Sequence, residues 1–260
     1  MLIAQITDSH IMPRGQEWRG DAETNVHRRL ERVVAAINKL NPAPDVVVLT
    51  GDNVDGTDYD GAYSALKEIL SHLKIPYYII PGNHDDREKL KIVFQNQKTP
   101  HFVVDHKEAR LIGLDSLVPS KDYGLLSNDQ MQFLKESLNE RRDVPALLFV
   151  HHFPVNVGVE VFNQMTLRNP DDLAEIMNFH PHVLGLICGH LHNQLSTTFA
   201  GKPLYISPSC APNFFFESAD AKRPSLINLE PPHFSLHKIS GFNFWSKVIS
   251  VVRPERTLTF

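Results

Sequence analysis

The sequence predicts an α/β fold, and three observations carry that prediction. Short apolar runs of strand length recur as far as Cys188, amphipathic helical patterns fall between them, and unusual polar clusters follow the runs. Leu2 to Ile6 reads as a first buried strand. Val26, Leu30, Val33, Ile37 and Leu40 then share one helical face. Val46 to Leu49 reads as the next strand, followed by a helix with Ala62, Leu66, Ile69, Leu70 and Leu73 on one side. Tyr77 to Ile80 and Leu111 to Leu114 continue the strand series. Ser127 and Gln130 have capping-box spacing ahead of Met131, Leu134 and Leu138, so a helix should start there. Ala146 to Val150 is the fifth strand. Asn169-Pro170-Asp171-Asp172 offers an N-cap, a proline at the first helical position and acids that suit the helix dipole. Val183 to Cys188 is the sixth strand. After Gln194 the texture changes to short β-like stretches, Pro203 to Ile206, Ser225 to Leu229, Phe234 to Ile239 and Lys247 to Val252, which should pair mostly antiparallel. Pro208 to Pro232 reads as loop.

Composition narrows the functional classes. A chain of 260 residues with 42% hydrophobic and 22% charged residues is expected to bury a substantial core as one domain. The net charge of −4 and the lack of a Lys/Arg run argue against a nucleic-acid polymer as substrate. No apolar stretch approaches the length of a membrane span, and no basic amphipathic helix suggests a lipid surface, so no membrane partner is expected. Cys188 and Cys210 are too few for a disulfide framework, which makes a reducing cytoplasm the expected location. The N-terminus lacks a signal-peptide pattern and is expected to stay on the mature protein.

Five polar clusters carry the chemistry. Asp8-Ser9-His10 follows the first strand, Gly51-Asp52-Asn53-Val54-Asp55 the second, Gly82-Asn83-His84-Asp85 the third, His151-His152 the fifth, and Gly189-His190-Leu191-His192 the sixth. Each alone has an ordinary reading. Asp-x-His can be a polar strand end, and Gly-Asp is a common turn. Five at the ends of five of the six apolar strands instead supply carboxylate, amide and imidazole donors of the kind that bind paired divalent cations.

The set D-x-H, G-D-x-x-D, G-N-H-D, H-H and G-H-x-H, in this order from Asp8 to His192, resembles the calcineurin-like metallophosphoesterases. The short distances between motifs look most like the class III cyclic nucleotide phosphodiesterases and the related glycerophosphodiesterases. The resemblance implies a four-layer αββα sandwich of two mixed β-sheets flanked by helices. Residues 1–208 would form the catalytic core, with the β-rich residues 209–260 completing the second sheet and supplying a dimer contact. It also implies two divalent ions drawn from Fe, Mn, Zn or Co. Asp8, His10, Asp52 and His192 would hold one, and Asp52, Asn83, His151 and His190 the other. A hydroxide shared between the ions would attack phosphorus in line. His84 would stabilise the phosphate charge or protonate the leaving oxygen, with Asp85 orienting it, and Asn83, His84 and His192 would touch substrate.

Two positions depart from the family pattern: Asn53 replaces a commonly apolar residue and Phe153 replaces a proline. For His152, a structural role and substrate contact both stay open. Arg14, Trp18, Arg19 and Asp21 occupy a loop read mainly as solvated, with some of them at the substrate entrance. Phe214, Phe215 and Phe216 are read as buried or at a subunit contact rather than as a purine-stacking face. Glu217, Asp220, Lys222 and Arg223 are read as solvated surface.

The expected function is hydrolysis of a small phosphodiester, with a 3′,5′-cyclic nucleotide (cAMP) ahead of a glycerophosphodiester. A phosphomonoesterase or nucleotidase is the alternative on the same fold. A protein-binding scaffold with a silent site is the non-enzymatic alternative, although no ligand is missing.

Overall fold

The protein is described here by a computed structural model covering residues 1–21, 24–215, 225–227 and 231–252. The chain begins with β1 (Leu2–Ile6), α1 (Val26–Ile37), β2 (Val46–Thr50), α2 (Tyr59–Leu70) and β3 (Tyr77–Ile80). It continues with β4 (Phe102–His106), β5 (Ala109–Leu114), α3 (Asn128–Glu140), β6 (Ala146–Val150), α4 (Glu160–Asn163), α5 (Pro170–Phe179) and β7 (Val183–Cys188). The remaining elements are β8 (Leu195–Phe199), β9 (Lys202–Ile206), β10 (Asn213–Phe215), β11 (Ser225–Ile227), β12 (His233–Ser240) and β13 (Asn243–Ser250).

The strands form two mixed sheets, ordered β13-β12-β1-β2-β3 and β4-β5-β6-β7-β9-β8, with β10 and β11 as a separate pair. Alternation along the strands explains the layering. On β2, Val47 and Leu49 pack toward α1 and α2, whereas Val46 and Val48 join Leu147, Phe149 and Ile187 between the sheets. On β6, Leu148 and Val150 pack toward α3 and α5. Three apolar clusters thus separate four layers, helices outside and sheets inside, as the resemblance implied.

The expected strands and helices fall where the apolar patterns put them, while β4, α4, β8 and β10 were not anticipated, and the stretch from Pro208 to Pro232, read as loop, instead holds the antiparallel pair β10 and β11. β8 is a solvated edge strand without a continuous apolar run. Two capping expectations are corrected. Ser127 caps α3 by accepting from Gln130 N, but the Gln130 side chain bonds Asp115 N and His101 instead of closing the box. Asn169 precedes α5 without capping it, because its amide both accepts from and donates to the backbone of Leu126.

A further correction concerns the C-terminal strands. β12 pairs antiparallel with β1, Leu2 opposite Lys238, so it extends the N-terminal sheet rather than the sheet built from residues 102–206. β2 occupies one edge of β1, and β12 satisfies the backbone groups on the other. Residues after Gln194 are mostly antiparallel as expected, but β9 runs parallel to β7. Phe216, Glu217, Asp220, Lys222, Arg223 and Leu229 lie outside the described residues.

One buried polar chain crosses the core. His237 donates from Nε2 to Gln5 Oε1 at 3.0 Å and accepts at Nδ1 from Ser246 Oγ at 2.7 Å. Gln5 in turn donates to Thr50 Oγ1 and to Cys188 O, tying the two sheets together. Burial pushes the imidazole down to about 3. Between its ordinary value near 6.5 and about 3, the unfolded chain therefore binds a proton that the native protein does not. Stability should be undiminished by this group above that range, then fall with acidification by about 1.4 kcal/mol per pH unit. Urea unfolding of His237→Gln between pH 6 and pH 4 should have a shallower pH slope than wild type. An unchanged slope would assign the acid sensitivity elsewhere.

Candidate metal centre

The ligand loops converge because the strands that carry them end together. The parallel register of β1 and β2 continues beyond the strands: Asp8 N bonds Gly51 O, His10 N bonds Asp52 O, and Ile11 N bonds Asn53 O, at 3.0 to 3.1 Å. Gly189 N bonds His151 O across the second sheet, and Ala211 N bonds Asp8 O between the sheets. Five of the seven expected ligands hold positive φ angles: Asp8 (51°), His10 (46°), Asp52 (47°), His190 (70°) and His192 (61°). That conformation costs a non-glycine residue about 1 kcal/mol or more. Here the surrounding hydrogen bonds enforce it. Glycine is required at two flanking turns, since a Cβ on Gly51 would lie 2.4 Å from His151 Nδ1 and one on Gly82 would lie 2.2 Å from Asp52 Oδ1.

All seven side chains expected as ligands, Asp8, His10, Asp52, Asn83, His151, His190 and His192, meet at this point, and all but Asn83 are buried. His192 donates from Nδ1 to Pro212 O at 2.8 Å, which leaves a lone pair on Nε2. That atom lies 3.0 Å from His10 Nε2 and 3.7 Å from Asp8 Oδ1. On the other side, His151 directs Nδ1 to Thr50 O at 2.7 Å, while its Nε2 lies 3.1 Å from His190 Nδ1, 3.3 Å from Asn83 Oδ1 and 3.3 Å from Asp52 Oδ2. Acceptor atoms thus face one another in two buried groups beside two carboxylates, an arrangement that requires positive charge between them. The donor set fits two divalent cations, with Asp52 between the groups.

Electrostatics agree with this reading. Burial is the largest influence on Asp8 and pushes it up to about 6, with Asp52 adding to the rise. Burial also acts to raise Asp52, but His151, His84 and His10 outweigh it and hold the carboxyl well below its usual range. Burial would lower His151, yet Asp52 and Asp8 bring it up to about 9. Burial, then His151, takes His190 down to about 3; burial, then His10, takes His192 well below the ordinary histidine range. The neutral imidazoles are thus already in the ligating form, and a cation would displace the proton that Asp52 draws onto His151.

His84 stands apart from the buried groups. Its ring is 31% exposed, and Nδ1 lies 3.1 Å from Asp55 Oδ1. This corrects the expected pairing with Asp85. The Asp85 carboxylate is instead occupied by Gly82 N, Asn53 N, Asn53 Nδ2 and Tyr63 OH, so it braces the loops rather than the imidazole. Asn53 thereby gains a defined role: it ties the loop carrying Asp52 to the loop carrying Asn83. His192, expected to touch substrate as well, has Nδ1 engaged by Pro212 O and Nε2 turned toward His10 and Asp8.

His152 is fully buried, with Nδ1 2.8 Å from Ser116 Oγ and its ring 4.7 Å from that of His190, which favours support of a ligand over substrate contact. Phe153 is buried against His190 at 5.8 Å between rings. Phe214 packs on both His192 and Phe162, and Asn193 fixes its backbone through two hydrogen bonds. Sequence reasoning missed Asp55, although the second D of G-D-x-x-D was the available signal. It also treated Trp18 as part of a mainly solvated loop, whereas Trp18 is 2% exposed.

The chain is similar to several known proteins. The probable glycerophosphodiester phosphodiesterase GpdQ of Arcobacter nitrofigilis is 34% identical over 245 residues, covering 91% of this chain and 88% of that one. The 3′,5′-cyclic adenosine monophosphate phosphodiesterase CpdA of Escherichia coli is 29% identical over 214 residues, covering 82% and 77% respectively. A dimetal phosphatase from Danio rerio has the same fold with a TM-score of 0.66 at 14% identity, covering 97% of this chain and 99% of that one. The profile of the calcineurin-like phosphoesterase family matches residues 1–194, a span that includes every ligand loop. Paired acceptor groups at the strand ends, a histidine set beside them and this extended match together place the chain in the calcineurin-like phosphoesterase family.

Proposed function

We propose that the protein is a metal-dependent phosphodiesterase acting on a small diester, with a 3′,5′-cyclic nucleotide such as cAMP as the leading substrate. The observation that carries this reading is the pairing of two buried acceptor groups around Asp52 with a partly exposed His84 beside them. Two divalent ions, whether Fe, Mn, Zn or Co, would supply an acidified water and charge neutralisation for the phosphate oxygens. Asp8, His10, Asp52 and His192 would hold one, and Asp52, Asn83, His151 and His190 the other.

The chain's own contribution to the chemistry centres on His84. Burial acts to lower its pKa, but Asp52 and Asp55 raise it to about 9, so the ring is protonated at neutral pH. With Nδ1 turned to Asp55, Nε2–H is left to donate to a phosphate or leaving-group oxygen. Asn83, next to His84 on the same strand-end loop, has its Oδ1 3.3 Å from His151 Nε2. A glycerophosphodiester is the second reading, favoured by the 34% identity to the relative named for that substrate. Cytoplasmic location is supported by Cys188 and Cys210, both buried as free thiols. No helix among the described residues is long and apolar enough to cross a membrane. A homodimer is a separate proposal, for which exposed Phe242 and Trp245 near the C-terminus offer apolar surface and sedimentation velocity is the test.

Metal-free protein reconstituted with each ion in turn and offered cAMP, glycerophosphocholine and AMP side by side tests the reading. Turnover of cAMP or glycerophosphocholine is expected. Hydrolysis of AMP alone would make the protein a monoesterase, and no hydrolysis with any ion would return it to the silent-scaffold reading.

A further inference from the structure

The Asp55 carboxylate serves two functional imidazoles at once. Its Oδ2 lies 3.3 Å from His10 Nδ1 and its Oδ1 3.1 Å from His84 Nδ1. Two more donors pin it: Gly56 N on Oδ1 at 2.7 Å and the Trp18 indole Nε1 on Oδ2 at 2.9 Å. Trp18 reaches this position from the loop between β1 and α1, 37 residues away in sequence. Its ring is 2% exposed, lies 5.4 Å from the His10 ring and is covered on another side by the Arg19 guanidinium at 5.2 Å. An indole has one polar atom, and a buried one must be satisfied; here the sole N–H goes to the carboxylate that lies against both histidines.

We propose that Trp18 is a positioning residue for the reaction: its indole N–H fixes Asp55 so that His10 presents Nε2 to the ion and His84 presents Nε2 to the substrate. This rests on the phosphodiesterase reading above. The argument is geometric. A carboxylate held only by Gly56 N and two imidazoles could rotate about its terminal bond and favour one histidine over the other. The indole donor is rigid, because its ring is packed against His10 and cannot follow such a rotation. The loop that carries Trp18 is itself held, since His27 Nε2 bonds Met12 O at 2.7 Å and Asp55 N bonds Ile11 O at 3.0 Å. Loss of partners that orient metal ligands typically costs 10- to 100-fold in activity or metal affinity.

Trp18→Phe keeps an apolar ring and removes only the N–H. With bis(p-nitrophenyl) phosphate and Mn²⁺, Trp18→Phe is expected to lower kcat by about 10-fold with little change in KM, and to weaken Mn²⁺ binding by a similar factor. A double-mutant cycle separates positioning from packing: in an Asp55→Asn background, adding Trp18→Phe should change kcat by less than about twofold, because the path through Asp55 is already broken. Equal losses in both backgrounds, or a lowered melting temperature with unchanged kcat and Mn²⁺ affinity, would overturn the proposal. If the wild-type enzyme hydrolysed no diester, the phosphodiesterase reading would fail instead, and the same cycle would still be read through Mn²⁺ affinity alone.

Discussion

Asp52→Ala is expected to remove hydrolysis almost entirely, by about 10³-fold or more, and to leave the protein unable to hold a pair of ions. The reason is its position between the two acceptor groups. Asp52 Oδ2 lies 3.3 Å from His151 Nε2 and 3.8 Å from His10 Nε2, so the same carboxylate oxygen faces a ligand of each group. Its other oxygen, Oδ1, accepts the His84 backbone N–H at 2.9 Å and so ties Asp52 to the loop that carries His84. Without that carboxylate, four imidazoles, the Asn83 amide and Asp8 alone would have to balance both cations in a buried space. Equilibrium dialysis against Mn²⁺, run with the diester assay, measures the two effects together. Retention of paired ions with normal turnover would defeat the assignment of Asp52 as the shared ligand. Asp52→Asn distinguishes charge from shape, because it keeps the volume and the hydrogen bond from His84 N while removing the charge.

His84→Ala is expected to separate the metals from the chemistry: both ions should bind as in wild type, while kcat falls by about 10²- to 10⁴-fold, the range for loss of a positioned general acid. The side chain faces Asp55, and the contact that His84 makes with Asp52 runs through its backbone N–H, which the substitution keeps. The pH profile gives a second readout. His84 is raised to about 9 by the carboxylates around it, so it carries its proton below that value and loses it above. Cations bound to Asp52 would offset part of that pull, so the alkaline fall in wild-type rate should lie at or below about pH 9. The variant should lack that fall. Loss of metal from His84→Ala would instead make the imidazole part of the ligand set.

Much of this protein was legible in the sequence because the informative signals are local. A strand buried on both faces is a continuous apolar run, so β1, β2, β6 and β7 announced themselves in the one-dimensional pattern. The ligand residues were legible for a related reason. Asp, Asn and His rarely follow such runs in succession unless the polar groups have a partner. The family resemblance then divided Asp8, His10, Asp52, Asn83, His151, His190 and His192 between two ions, and the geometry gathers the same seven.

What tertiary structure alone decided is the identity of partners distant in sequence. Asp85 was read as the partner of its neighbour His84, yet the chain turns it inward to Gly82, Asn53 and Tyr63, and Asp55 takes its place. Trp18 was indistinguishable from a solvated loop residue until the β1–α1 loop closed over Asp55. The C-terminal strands could have completed either sheet, and the free edge of β1 selected the first. Sequence therefore determined which residues are chemically able to bind metal and where each strand delivers them. The left-handed turns, the orientation of the histidines and the choice of bracing carboxylate depend on contacts between segments tens of residues apart, whose energies exist only once the two sheets have packed.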